Sequence, residues 1–224
     1  MASRGIFMLQ RKPASFAMMA GALFVIASGA SASEWKYRIT EKDTQGIGIY
    51  RTYDETADNG ILLLMATNLH SSHTAGILDG GGMIFWKARG TSGWEYDAER
   101  QGDKLVVRSK TGGCWSTNEM TIDHDIWSEC LPYTAAKFLG DGRKTFQIWS
   151  IDPDDGKLRK IRVDRLGLTN LVVNGVTNVA LGAQFTVMGR REAPYPGKYY
   201  FHPSDGTLLY VEMDGMKQEL LEEK

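Results

Sequence analysis

The feature that most constrains this chain is a period of two. In EWKYRIT, Trp35, Tyr37 and Ile39 fall on one side of an extended segment, and Lys36, Arg38 and Thr40 fall on the other. That is the signature of a strand with one buried face. GIGIYRTYDE follows the turn residues KDTQ, so the first two strands form a hairpin. GILLLMATNLH is apolar on both faces as far as Ala66 and reads as a central strand covered on each side. GGMIFWKARG and SGWEYDAERQ pair across GTSG, and DKLVVRSK follows the turn QGD. KTFQIWSID, KLRKIRVDRLG, TNLVVNG, TNVALGAQFTVMG, KYYFHPS and TLLYVEM continue the series, and the C-terminal KQELLEEK is either a strand edge or a helical turn.

One segment breaks the pattern. LPYTAAKFLGDG has Pro132 suited to a first helical turn and Gly140 suited to a stop, which predicts a short helix. Strands divided by short Gly, Asp and Asn turns predict an all-β, mainly antiparallel domain. It should be a strongly curved sheet or a partly open barrel, with one short helix after the cysteine loop. Strand and long helix do not alternate, so a nucleotide-binding α/β sheet fits poorly.

The first residues read differently. Arg4, Arg11 and Lys12 precede the apolar run FAMMAGALFVI, and Ala30-Ser31-Ala32 fits a cleavage site. Residues 1–32 are therefore expected to be a cleaved export signal and residues 33–224 a single β-rich periplasmic domain, soluble and without a membrane span after cleavage. A membrane anchor is the alternative, but the run is short and diluted with small residues. Removing it shifts the formal charge from −1 to about −4, which disfavours nucleic acid as a partner.

Cys114 and Cys130, the two cysteines of the chain, bracket GGCWSTNEMTIDHDIWSEC. In an oxidising compartment they are expected to form a disulfide around a polar loop. Such a closure contributes roughly 3 kcal/mol on the chain-entropy model. Free thiols are one alternative and a metal or redox role another.

No catalytic residue, metal ligand set or cofactor is assigned. His70 and His73 in HSSH point to opposite faces of an extended segment and lack further ligands. His124, between Asp123 and Asp125, has no nucleophile elbow to serve as a base. IDPDDGK reads as a hairpin turn, and LDGGGM as a bend. The aromatic set carries more information: Trp35, Tyr37, Trp86, Trp94, Tyr96, Trp115, Trp127, Trp149, Phe185 and Tyr199. Rings at alternate strand positions usually fill a core. Alternatively, a curled sheet leaves an apolar cavity, with Trp86, Trp94, Tyr96, Trp127, Trp149 and Phe185 as the residues expected to line it and Met65, Met83 and Met188 as adaptable wall.

The succession EWKYRI, GIGIYRTYDE, MIFWKARGTSGWEYDAERQGDKLVV, DIWSE, DGKLRKIRVDRLG and KYYFHPSDGTLLYVE resembles a broad family of exported bacterial domains of unknown function. The resemblance implies a curved antiparallel sheet in the periplasm, similar in shape to lipoprotein-carrier domains, and carries over no catalytic residue. The Cys114 and Cys130 pair departs from that pattern. The expected function is a non-enzymatic binding or carrier module for an apolar small molecule or lipid. An accessory protein that docks a periplasmic protein partner through a sheet edge, or a hydrolase built on His124, are the alternatives.

Overall fold

The structure is a computed structural model that describes residues 32–41, 44–55, 61–78, 81–122, 126–151, 156–189, 197–213 and 215–223. The expected export signal, apart from Ala32, and the expected base His124 with Asp123 and Asp125 lie outside the described residues.

The alternation in EWKYRIT becomes β1 (Ala32–Glu41), which pairs antiparallel with β2 (Thr44–Glu55) and sets Trp35 opposite Tyr50 and Tyr37 opposite Gly48. The chain then meanders through β3 (Ile61–Thr67), β4 (Ser71–Leu78), β5 (Met83–Gly90), β6 (Glu95–Gln101), β7 (Lys104–Thr111) and β8 (Cys114–Thr121). After helix α1 (Leu131–Gly140) it returns through β9 (Thr145–Ile151), β10 (Leu158–Val173), β11 (Val176–Val187), β12 (Gly197–Phe201), β13 (Leu208–Met213) and β14 (Met216–Glu223).

All fourteen strands form one sheet in the order β8-β7-β6-β5-β4-β3-β2-β1-β14-β13-β12-β11-β10-β9. Every neighbouring pair is antiparallel, and every pair but β1–β14 is consecutive in the chain. The two ends of the described chain therefore meet in the middle of the sheet, while β8 and β9 form its margins. β14 is thus an interior strand, neither the edge nor the helical turn that KQELLEEK allowed. Its charges face cross-strand partners: Lys36 Nζ meets Glu222 Oε2 at 2.9 Å and Arg38 Nη1 meets Glu219 Oε2 at 3.1 Å.

Bulges at Lys36/Tyr37, Gly76/Ile77, Arg165/Gly167 and Tyr200/Phe201 break the ladders. Each adds local twist, which lets a sheet this wide curl instead of lying flat. Between the margins, the amide of Met83 donates to the Trp127 carbonyl at 3.1 Å, the amide of Ser128 to the Trp149 carbonyl at 2.9 Å, and the amide of Trp149 to the Ile126 carbonyl at 2.8 Å. The connecting segment is thereby sewn to β9 and to the start of β5.

Two large buried clusters fill the interior, and a third, smaller one joins β10 and β11 to β13. Of the large pair, one joins β1 and α1 to β9–β13 through Tyr37, Leu139, Ile148, Phe185 and Val211. The other joins β3–β7 to the connecting segment through Leu64, Ile77, Trp86, Val107 and Trp127. Burying a side chain such as Ile77 or Leu105 stabilises the fold by about 1.5–3 kcal/mol. β3 differs from the expected doubly covered strand. Leu64 and Ala66 are buried, Ile61 and Leu63 are half-buried and Met65 is exposed.

The segment expected to be a polar loop inside a disulfide is a strand. β8 pairs with β7 along its length, from Cys114 opposite Thr111 to Thr121 opposite Lys104. Almost every side chain of β8 is exposed, so no apolar alternation marked it. Both cysteines are free thiols, Cys114 exposed and Cys130 buried at the start of α1. β8 runs about 23 Å from Cys114 to Thr121, whereas a disulfide needs Cα atoms within about 7 Å.

Candidate functional site

Helix α1 builds the site. Pro132 in its first turn costs no hydrogen bond, and Thr134, Ala135, Phe138 and Leu139 bury one face. The buried Thr134 hydroxyl donates to Ser128 Oγ at 2.7 Å, and Ser128 Oγ accepts the Cys130 amide at 3.1 Å, which fixes the helix start. On the other side Gly206, at φ +76°, lets the turn after β12 pass against the helix: a Cβ there would lie 3.1 Å from that of Ala136.

Between the helix, that turn and the inner face of β1–β3 lies a cleft of about 730 Å³. Trp35, Tyr37 and Tyr50 form one wall with Leu62, Leu64 and Ala66 beside them. Pro132, Tyr133, Ala136 and Leu139 come from the helix, and Leu181 and Phe201 close the far side. Tyr37 and Tyr50 meet edge to face, centroids 5.0 Å apart, a favoured aromatic geometry. Burial pushes both phenols up, Tyr50 to about 12 with the Gln218 side chain opposing, so both stay neutral at physiological pH. The indole Nε1 of Trp35 is buried and has no protein acceptor.

Thr52 and Lys137 are among the polar side chains that line the cleft, and four other polar groups at its border have a geometry that defines what they can do. His73 accepts from the Trp86 indole at Nδ1 (3.2 Å) and meets Ser71 Oγ at Nε2 (2.6 Å), while Ser71 Oγ donates to Asn68 Oδ1 at 3.0 Å. Both ring nitrogens are engaged, and burial holds the ring below its ordinary pKa. It is a neutral structural imidazole. His70 turns away to Glu41 at 3.1 Å. Among the described residues no group of three or more His, Cys, Asp or Glu side chains could hold a metal.

Glu129 accepts from the Ile151 amide and from the Ser150 hydroxyl. Burial pushes its carboxyl up to about 8, against the pull of those hydrogen bonds. Burial, reinforced by Glu129, also raises the Cys130 thiol far above the reactive range.

His202, Ser204 and Asp205 form the fourth group. Ser204 Oγ and Asp205 Oδ2 both meet the same ring nitrogen, Nδ1, at 2.9 and 3.1 Å. A hydrolytic relay needs the hydroxyl and the acid on opposite nitrogens, so this cluster clasps a turn. Burial alone would raise the Asp205 carboxyl. Hydrogen bonds from the Thr207 amide and side chain, the charge of His202 and the Ser204 hydroxyl outweigh it and hold the group low.

The six residues expected to line a cavity lie elsewhere. Trp86 stacks on Tyr96 and Trp94 meets Tyr96 edge to face, with centroids 5.6 and 5.7 Å apart, under β5 and β6. Trp127 is fully buried, Trp149 carries Lys160 over its ring at 4.7 Å, and Phe185 packs on Tyr199 at 4.1 Å. None borders the cleft. These stretches of the inner face are filled by opposing strands and by the connecting segment, so their rings become core. Of the expected adaptable wall, Met83 is core and Met65 and Met188 are exposed.

Trp35 and Tyr37 belong to the aromatic set but were not singled out, and Tyr50 and Tyr133 were missed. Tyr50 was visible as the in-phase partner of a strand beside Trp35. Tyr133 had no periodic signal beyond its place on a short helix.

Comparison by sequence matches the chain to no family model and to no curated protein. By shape it matches the crystal structure of a beta-barrel-like protein of Domain of Unknown Function DUF1849 from Brucella abortus. The TM-score is 0.58 at 10% sequence identity, covering 86% of this chain and 97% of that one. The likeness shows the fold alone. It accords with an open, curled all-β sheet in which a short helix closes over one part of the inner face.

Proposed function

We propose that the protein is a non-enzymatic binding or carrier module for an apolar small molecule or lipid-like ligand, held in the cleft beneath α1. The observation that carries this reading is the cleft: about 730 Å³, walled by Trp35, Tyr37, Tyr50, Leu62, Leu64 and Phe201. That volume falls in the range of small-molecule sites, roughly 300–1,000 Å³. A filled core at packing density leaves no such space. The titratable groups at the border support binding over chemistry. His73 has no free nitrogen, Cys130 is held as a thiol, and the His202 cluster has its hydroxyl and acid on one side. The same reading places the mature chain in the periplasm, where the basic and apolar first residues would direct it.

The test is equilibrium dialysis of the delipidated protein against radiolabelled palmitate, a single-chain probe. Saturable uptake is expected, reduced at least tenfold in Ala66→Phe and Leu62→Trp, whose larger side chains project into the cleft. Uptake that is absent, or unaffected by both variants, sinks the proposal.

A further inference from the structure

From Leu166 to Gly189 the chain has no charged side chain, in a protein in which 24% of residues are charged. The structure shows where that stretch goes. The ladder from β10 to β9 ends at Asp164, and the ladder from β11 to β12 ends at Leu181. Beyond those points the β10–β11 hairpin continues alone to its Asn174-Gly175 turn, leaving the body at the Gly167 bulge, where φ is +97°.

Its two faces have different fates. On one, Val173 and Ala180 are buried against Leu209, with Tyr200, Tyr210 and Leu220 around them. The tip is tied down as well: the Asn174 amide donates to Glu219 Oε1 at 2.7 Å and its side-chain amide to the Leu220 carbonyl. On the other face Leu168 stands opposite Leu181, Asn170 opposite Val179, and Val172 opposite Thr177. Cross-strand partners share a face, so Leu168, Val172 and Val179 continue the face to which Leu181, a wall of the cleft, belongs. Leu181 is buried, whereas Leu168, Val172 and Val179 are 64%, 63% and 51% exposed. The cleft thus opens beside a rigid apolar lip.

We propose that this lip docks the protein on a lipid surface, and that the cleft loads or unloads its ligand there. The second part rests on reading the cleft as an apolar-ligand site; the first rests on the lip itself. The chemistry selects lipid over protein. The exposed set on this face is Leu168, Val172 and Val179, aliphatic throughout, whereas protein interfaces centre on Tyr, Trp, Met and Arg. The absence of charge matches the acyl boundary of a bilayer, where a charged side chain is costly. Because the hairpin is tied at its tip to β14, it presents this face without first having to order.

The test is vesicle flotation of the full chain with phosphatidylcholine vesicles, which carry no net charge. Co-flotation is expected and should persist at about 0.5 M salt, because no charge is engaged. Leu168→Asp with Val172→Asp should lower the bound fraction at least tenfold while palmitate uptake in dialysis stays at the wild-type level, which also shows that the variant is folded. Val172→Ile should float as the wild type does. Absence of flotation, flotation abolished by salt, or flotation unchanged in the double aspartate variant would overturn the docking proposal. So would a doubled mass in sedimentation that Val172→Asp abolishes, which would assign the lip to a second copy. Flotation without palmitate uptake keeps the docking surface and removes only the cleft reading.

Discussion

The Trp86 indole donates its N–H to Nδ1 of His73 at 3.2 Å, and the two rings lie stacked with centroids 5.8 Å apart. Both groups belong to the inner face of adjacent strands, one three residues from a second histidine that sequence alone offers as a metal partner. The bond fixes the tautomer, with Nδ1 the acceptor and Nε2 carrying the proton towards Ser71. His73→Ala leaves the Trp86 donor without its acceptor and should cost about 1–3 kcal/mol in chemical denaturation. In a double-mutant cycle, adding Trp86→Phe should cost less in the alanine background than in the wild type. Zinc should leave the melting temperature unchanged, and a metal-dependent rise would contradict the assignment.

Glu129 gives a pH dependence of unusual sign. Its carboxyl is pushed up to about 8 by burial, from an ordinary value of 4.5. Between these values the folded state holds a proton that the unfolded state has released, so the contribution to stability is full below pH 4.5. It falls as pH rises towards about 8. Glu129→Gln keeps an oxygen acceptor for Ile151 and cannot ionise. Thermal melts from pH 5 to 9 should show the variant gaining on the wild type as pH rises, and parallel curves would refute the linkage.

The thiols should label unequally. Cys114 is exposed and Cys130 buried with a raised pKa, so the native protein should take one maleimide adduct and the denatured protein two. A native chain that takes none, at a mass two hydrogens below the reduced form, would instead establish the disulfide anticipated from the spacing.

Gly206 is the position at which the turn and the helix depend on one another. Gly206→Val meets both the +76° backbone and the Ala136 methyl. It should lose about 1–3 kcal/mol and weaken palmitate uptake, because the helix that roofs the cleft would shift. Wild-type stability in this variant would show that the turn yields without effect.

The strands were legible where burial is one-sided. Trp35, Tyr37 and Ile39 announced β1, and Pro132 and Gly140 bounded α1 within a residue or two. β8 and β14 were not legible as such. β8 buries almost nothing, and β14 gains its identity from Lys36 and Arg38, which lie far away in the chain. The candidate site was the least accessible. Periodicity says which way Trp86, Trp127 and Phe185 point, but not whether another segment fills the space in front of them. That depends on where α1 and residues 126–130 come to rest, a property of the assembled sheet.

The seam between β1 and β14 divides the sheet into two runs of successive hairpins. Its contacts, Lys36 with Glu222 among them, join residues 186 apart in sequence, whereas each neighbouring hairpin can close locally. Loop-closure entropy therefore makes the seam the slowest pairing to nucleate. Until it forms, the molecule is two unsealed half-sheets without a finished cleft wall, since Trp35 and Tyr37 stand on the seam strand itself. Competence to bind is thus acquired in the last step of folding, and pulse-labelled hydrogen exchange should find the β1–β14 amides protected after those of β5–β7.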